Sequence, residues 1–298
     1  MSTADIEKAL RVTKGDVKKA VDIFKRAVYP TPPNRMFEQM NLLVESKSLT
    51  KSAVGLCYAA EGVPDATLLV KIDGTQVTVG DALRHTTGFG GDFDYGNFVD
   101  AADATEFALR ALEKAPRVQG FSYNDYMYQI LAARFEEFSS NGGLETVLAH
   151  ILGAKSFDWG KDSTGTPLAP NGLKLSHESA EAMGHAARRL LDDTVPRHLL
   201  PTEGWWQGHH RGLRNYVHGW WETADGTLIA IGYRRYYIVA LPNDGGVKVQ
   251  LFDDDYVPGS LSVAQETFAE RATRRPLLIV VPHAFSLEDQ NIIVALDG

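Results

Sequence analysis

The chain has 298 residues, 44% of them hydrophobic and 23% charged, an ordinary composition for a folded protein and unlike that of a disordered one. At roughly 150 residues per domain, that length allows two domains or one domain with an insertion. Thirty Lys+Arg against 38 Asp+Glu leave a net charge of −8, which argues against a nucleic-acid-binding surface and a polybasic membrane patch, while the single cysteine, Cys57, excludes an internal disulfide and a cysteine-cluster metal site.

The first ten residues, MSTADIEKAL, hold no apolar core of signal-peptide length, and the apolar run at 277–281 is stopped by Pro282. The expectation is a cytoplasmic protein. Residues 4–27 place Ile6, Leu10, Val17, Ala20, Val21 and Phe24 as the apolar stripe of two short helices, broken at Lys14-Gly15-Asp16. Their wording resembles the last two helices of a ubiquitin-associated domain, without its first helix, and a plain helical lead-in over 1–30 is the simpler reading. Tyr29-Pro30-Thr31-Pro32-Pro33 forbids helix and marks the boundary of the main domain, 31–298.

From 48 to 61 the pattern is helical, with Leu49, Ala53, Leu56, Cys57 and Ala60 on one stripe. Residues 67–79 read as two short strands around the turn Asp73-Gly74. Roughly 80 to 200 is mainly helix-period sequence interrupted by glycine-rich loops. After Gly219 the period becomes that of strands, at Thr227–Gly232, Tyr236–Leu241 and Val247–Phe252, with Asn243-Asp244-Gly245-Gly246 as a hairpin turn. A helix at about 261–273 and apolar strands at 277–281 and 291–296 complete the chain. The fold class expected is α+β: an antiparallel sheet flanked by helices, with a mainly helical inserted subdomain. Its α/β part covers about 31–79 and 219–298, and its helical part about 80–218.

The most informative stretch is Ser46-Lys47-Ser48-Leu49-Thr50-Lys51 at a helix start. Positions i and i+3 share a helix face, so Ser48 and Lys51 can meet. The positive end of a helix favours developing negative charge on a serine. A lysine that has lost its proton can then take the hydroxyl proton. Ser-x-x-Lys alone is common, and by itself it reads first as a capping serine with a solvated lysine. Further motifs follow in order: Leu83-Arg84-His85-Thr86-Thr87-Gly88-Phe89, then Phe121-Ser122-Tyr123-Asn124-Asp125 opening a helix, then Trp159 through Asp162-Ser163-Thr164-Gly165-Thr166-Pro167 to Gly172-Leu173.

In these residues the chain resembles the serine β-lactamase and penicillin-binding protein superfamily, most closely its class C-like esterase and 6-aminohexanoate-dimer hydrolase branch. The resemblance covers about 200 residues and implies a β-lactamase/transpeptidase-like fold. It places the acylated nucleophile at Ser48, its general base at Lys51 and the proton-relaying tyrosine at Tyr123. A tyrosine beside a lysine ammonium is expected to be the more acidic for it. Asp125 falls where the second motif usually ends in asparagine, so it either pairs with Lys51 or binds a cationic substrate.

The third motif departs further. In Gly232-Tyr233-Arg234-Arg235-Tyr236-Tyr237, Tyr233 takes the first position, Arg235 stands where the family has glycine, and the Tyr236 N–H becomes the second oxyanion donor beside that of Ser48. Arg235 either crowds the cleft or offers a cation to a substrate carboxylate; a register shift would put both arginines on the solvent face of an edge strand. Ser48 comes only 15 positions after Pro33, and Met36–Glu45 is poor strand material, so 277–281 and 291–296 are expected to fill sheet positions normally taken by amino-terminal strands.

Other candidates read as structural. His85 supports a loop, and the spacing of His209, His210 and His218 fits no zinc motif. Cys57 belongs to the core, and Gly88-Phe89-Gly90-Gly91 is a turn rather than a phosphate loop. No cofactor and no metal are called for. The function expected is a serine acyl hydrolase, esterase or amidase in type, acting on a small-molecule ester or amide, with acyl transfer as a variant. The alternatives are a catalytically silent relative that binds a ligand or protein, and an interaction protein recruited through residues 1–28.

Overall fold

The computed structural model describes residues 43–91, 93–153, 155–201, 213–232, 238–241 and 246–250. The lead-in over 1–30, the helix at 261–273 and the strands at 277–281 and 291–296, with the sheet positions expected of them, lie outside the described residues.

The centre of the structure is α1, Thr50–Ala60, entered through the 3-10 turn Lys47–Leu49. Every residue from Thr50 to Tyr58 is buried, so this helix is enclosed on all sides rather than packed along one stripe. The sequence TKSAVGLCYAA suits that position, since small and aliphatic side chains let neighbours approach from each direction. Around it pack α5 (Asp125–Arg134), α6 (Leu144–Leu152) and α7 (His177–Leu190). The shorter α2 (Val79–Leu83), α3 (Tyr95–Val99) and α4 (Ala104–Glu113) lie between. Capping side chains set several of these starts: Thr78 and Asp81 form a capping box on α2, Asp103 caps α4 and Ser176 caps α7.

The strands are β1 (Val44–Glu45), β2 (Leu68–Ile72), β3 (Thr75–Thr78), β4 (Phe157–Trp159), β5 (Leu173–Leu175), β6 (His198–Leu199), β7 (Leu213–Val217), β8 (Trp220–Thr223), β9 (Leu228–Ile231), β10 (Ile238–Leu241) and β11 (Lys248–Gln250). Six of them form one sheet in the order β11-β10-β9-β8-β7-β6, antiparallel at every pairing. A three-stranded sheet runs β1-β5-β4, and β2-β3 is the hairpin around Asp73-Gly74 that the sequence predicts. The α+β class with helices packed around an antiparallel sheet is what the motifs implied.

Three departures have physical reasons. The last two residues of the stretch read as poor strand material form β1, with Val44 opposite Leu175 and Glu45 opposite Lys174; an edge supplies backbone partners whatever the local propensity. Strands β4 to β7 fall inside the segment read as mainly helical, the first two being too short to show a period of two. The large sheet also starts before Gly219, which is not a strand boundary but the second residue of the turn joining β7 to β8. His218 and Gly219 both have positive φ, +42° and +86°, and Val217 pairs directly with Trp220. That is the two-residue hairpin geometry that matches strand twist.

This turn is pressed against α1. A Cβ on Gly55 would lie 1.8 Å from the His218 carbonyl oxygen, and one on Gly219 would lie 2.4 Å from the Lys51 carbonyl oxygen. Ser52 Oγ donates to the Gly219 carbonyl at 2.6 Å, closing the contact. We therefore expect Gly55→Ala to cost about 3 kcal/mol, because backbone rather than a side-chain end stands in the way. Gly96→Ala, on exposed α3 with nothing nearer than 4.0 Å, should be neutral or stabilise by up to about 1 kcal/mol. Urea unfolding of the two variants checks this; equal stabilities would contradict the packing.

Candidate active site

Ser48 lies at the middle of the 3-10 turn, half-buried, where the chain enters α1. The residue before it, Lys47, has φ +45°, a left-handed conformation that costs a non-glycine residue about 1 kcal/mol or more. The turn is held by a clamp on β5. Ser46 donates from both its N–H and its Oγ to the Leu173 carbonyl, each at 2.8 Å. The Leu173 N–H in turn donates to Thr50 Oγ1 at 3.3 Å. Lys47 turns away toward the surface, paired with Glu45 at 2.6 Å and donating to the Tyr95 hydroxyl at 3.1 Å.

Lys51 follows one helical turn later and is 0% exposed. Its Nζ donates to Ser48 Oγ at 3.3 Å and to the Pro170 carbonyl at 3.0 Å, and it forms an ion pair with Asp125. The Tyr123 hydroxyl is hydrogen-bonded to both Ser48 and Lys51, and Lys51 Nζ lies 5.0 Å from the Tyr123 ring centroid. Of the two outcomes open for Asp125, the structure has the pairing with Lys51. Burial pulls Lys51 toward the neutral amine, but the Asp125 carboxylate and the Tyr123 hydroxyl together outweigh it and hold the lysine above its ordinary range. The expectation of an acidified Tyr123 does not survive. Burial raises it, and the lowering by Lys51 is smaller than that rise with Asp125 added. The charge of a neighbour is visible in a sequence; enclosure is not.

Tyr123 sits just before α5, whose cap is Asn124, with Oδ1 accepting from the Met127 N–H at 3.3 Å. The helix therefore starts at Asp125 and not at Phe121, which leaves Tyr123 on an extended segment facing Ser48. His85 anchors that segment. Its carbonyl accepts from the Ser122 N–H at 2.8 Å and its Nδ1 from the Asn124 N–H at 3.0 Å, while Asn124 Nδ2 reaches the Phe89 carbonyl at 3.2 Å. With Nδ1 accepting, Nε2 carries the hydrogen toward Tyr216 Oη at 3.3 Å. Tyr216 bonds to Tyr128, which donates to the Leu83 carbonyl at 2.9 Å. The imidazole packs 4.3 Å from the Tyr123 ring, and Trp221 stacks on the Tyr123 ring at 5.9 Å and 7°. His85 thus supports a loop, as expected, and that loop carries the tyrosine.

Two supports of the site were not read from the sequence. The Pro170 carbonyl acts through its backbone, which leaves no side-chain signal. Gln129, buried in the otherwise apolar run of α5, holds the preceding residues: Nε2 donates to the Pro167 carbonyl at 3.2 Å, and Oε1 accepts from the Ala169 N–H at 3.1 Å. A glutamine amid Tyr126, Met127, Tyr128, Ile130 and Leu131 was the available clue. Asp162 shapes the start of the same loop, accepting from the N–H groups of Thr164, Thr166 and Ala104, each at 3.0 Å. The Trp159-to-Leu173 motif therefore carries the carbonyl that grips Lys51.

Tyr233, Arg235 and Tyr236, with His209 and His210, lie outside the described residues. His218 pairs with Asp65 at 3.2 Å, and among the described residues no three His, Cys, Asp or Glu side chains gather as for a metal ion. Cys57 is buried in α1, and burial pushes its thiol far up. Phe89 in the Gly88–Gly91 turn pairs with Arg117 across a single bridge. No helix among the described residues is long and apolar enough to cross a membrane.

No protein-family model matches the sequence, and no curated protein does. Solved structures do match. A penicillin-binding protein from Bacillus halodurans superposes with a TM-score of 0.53 at 17% identity, over 70% of this chain and 80% of that one. The chain has the penicillin-binding protein and β-lactamase fold. A penicillin-binding protein homologue from Caulobacter crescentus matches this fold with a TM-score of 0.50 at 11% identity, over 70% of this chain and 76% of its own. The D-amino acid amidase from Ochrobactrum anthropi SV3 does so with 0.50 at 14%, over 70% and 76%. The superfamily read from the ordered motifs is thus the one whose fold the chain adopts.

Within this fold, burial keeps His85 neutral and well below its ordinary range, with the Lys51 charge adding to the effect. In the unfolded chain the same histidine takes a proton near pH 6.5. The stability it contributes is present above that pH and is lost as pH falls below it. Urea midpoints measured from pH 8 to pH 5 should therefore drop. His85→Asn should cost about 1–3 kcal/mol at pH 8 and flatten the drop, leaving the part due to His177 and His198, which burial also lowers. Equal slopes in the two proteins would contradict this assignment.

Proposed function

We propose that the protein is a serine acyl hydrolase of the esterase or amidase kind, acting on a small-molecule ester or amide through an acyl-enzyme on Ser48. The observation that carries this reading is the convergence on Lys51 Nζ: Ser48 Oγ stands 3.3 Å away, and Tyr123, 72 residues further along the chain, closes a hydrogen-bonded triangle with both.

In this reading Ser48 Oγ attacks the acyl carbon, and its proton passes to the Lys51–Tyr123 pair. The tetrahedral oxyanion is received by the Ser48 N–H at the positive end of α1, with the Tyr236 N–H as second donor. As the intermediate collapses, the bond to the leaving nitrogen or oxygen breaks and Tyr123 returns the proton to it. Water then attacks the ester of Ser48 by the same route in reverse; another nucleophile in its place gives acyl transfer. The reactive form holds one proton fewer across the pair, as tyrosinate beside ammonium or phenol beside amine, since either accepts from Ser48. Tyr233 and Arg235 would line the acyl site. The lone buried thiol suits a cytoplasmic setting.

One observation favours the second reading, a silent relative that binds a ligand or partner: Asp125 holds Lys51 charged, and a charged lysine takes no proton. Intact-mass analysis after treatment with a fluorophosphonate or a β-lactam separates the two. We expect one adduct on the wild-type protein and none on Ser48→Ala. Lys51→Met should slow labelling about 10²–10⁴-fold and Tyr123→Phe about 10²-fold. A folded protein that stays unmodified by every probe from pH 6 to 10 would establish the silent relative instead.

A further inference from the structure

The groups that face Lys51 among the described residues come from five stretches of chain. They are Ser48 from the 3-10 turn, Tyr123 from the segment before α5, Asp125 and the Tyr128 ring from α5, and His85 from the loop after α2, with the Pro170 carbonyl beside them. Ser48, the tyrosines, the carbonyl and the neutral His85 carry no charge at rest. Asp125 supplies the carboxylate.

The geometry of Nζ gives that carboxylate a specific effect. Pro170 O and Asp125 Oδ1 can only accept, so they take two of the amine's hydrogens whether it is charged or neutral. The remaining tetrahedral direction points to the Ser48 and Tyr123 hydroxyls. As an ammonium, Lys51 donates there; with one proton removed, its lone pair faces Ser48 Oγ instead. The contacts therefore suit both states, and charge chooses between them. Asp125 is fixed in the first turn of α5 behind the Asn124 cap, and its side chain is 17% exposed, so solvent screens it weakly. A carboxylate in contact opposes both a neutral lysine and a tyrosinate, and it is among the causes holding both Lys51 and Tyr123 above their ordinary ranges. An asparagine would keep an acceptor in place without the charge.

We propose that Asp125 is a positioning residue that sets the pH at which Ser48 becomes reactive, keeping the Lys51–Tyr123 pair fully protonated near neutral pH and confining acylation to alkaline conditions. This rests on the serine acyl hydrolase reading for its kinetic consequence but not for the state of the lysine.

The test compares the full-length protein with Asp125→Asn and Asp125→Glu by two readouts. The rate of fluorophosphonate adduct formation is followed by mass between pH 6 and 10. The titration of the Lys51 ¹³Cε resonance, assigned by its loss in Lys51→Met, is followed over the same range. The wild-type rate should rise with a limb in the alkaline range. Asp125→Asn should move that limb to lower pH and label at least about 10-fold faster at pH 7, with the Lys51 resonance titrating at lower pH. Asp125→Glu, which keeps the charge, should retain the alkaline limb. Superimposable profiles for wild type and Asp125→Asn, or a uniform slowing with the Lys51 resonance unmoved, would overturn the proposal. If no variant forms an adduct, the hydrolase reading fails by itself; the Lys51 resonance then decides, supporting the proposal if it titrates lower in Asp125→Asn and overturning it if it does not.

Discussion

An ammonium removed from water costs several kcal/mol unless an opposite charge and a full set of acceptors replace its hydration. Lys51 is such a group, with no exposed surface, and the arrangement around it follows from meeting that cost. Asp125 contributes charge, Pro170 a carbonyl, and Ser48 and Tyr123 their hydroxyls. They come from three separate stretches of chain, around Ser48, Tyr123–Asp125 and Pro170, so satisfying one lysine draws together the segments that build the candidate site. Removing any partner leaves a buried donor without an acceptor, and this couples the site to the fold.

The supports are arranged in a ring. The β5 clamp on Ser46 and Thr50 sets the turn before α1 and tolerates the left-handed Lys47. Gln129 and Asp162 set the loop that ends in Pro170. His85, through Ser122 and Asn124, sets the segment bearing Tyr123, while Trp221 closes the far side of that ring. On the remaining side the His218-Gly219 turn rests on the backbone of α1, so the large sheet also bears on the nucleophile helix. Side-chain chemistry at Ser48 therefore depends mostly on backbone groups fixed by short hydrogen bonds.

How far the sequence discloses this varies with the kind of signal. Ser48 and Lys51 are legible because helical spacing places them on one face, and Tyr123 because its motif follows in the right order. The hairpin at Asp73-Gly74 is legible because the turn residues favour positive φ. The equivalent turn at His218-Gly219 is not, since histidine at its first central position gives no such sign, and the strands it joins, β7 and β8, are no more legible. β1, β4 and β5 span two or three residues each, and β1 meets β5 from more than a hundred positions away in the chain. No local pattern marks them. Asp125 was legible as a departure and as one of two possible contacts; which contact it makes depends on where α5 begins, and that depends on the Asn124 cap. The acidity of Tyr123 is not legible, because proximity to a cation can be inferred from motifs, whereas enclosure arises only on folding.

The pairing of Lys51 with Asp125 is the claim on which the rest depends, and a double-mutant cycle on stability tests it most directly. Lys51→Met, Asp125→Ala and the double variant would be unfolded in urea at neutral pH. Each single substitution should destabilise by leaving the other charge uncompensated, and the double should lose less than the sum, with a coupling of at least about 1 kcal/mol. Additive losses, agreeing within about 0.5 kcal/mol, would contradict the account.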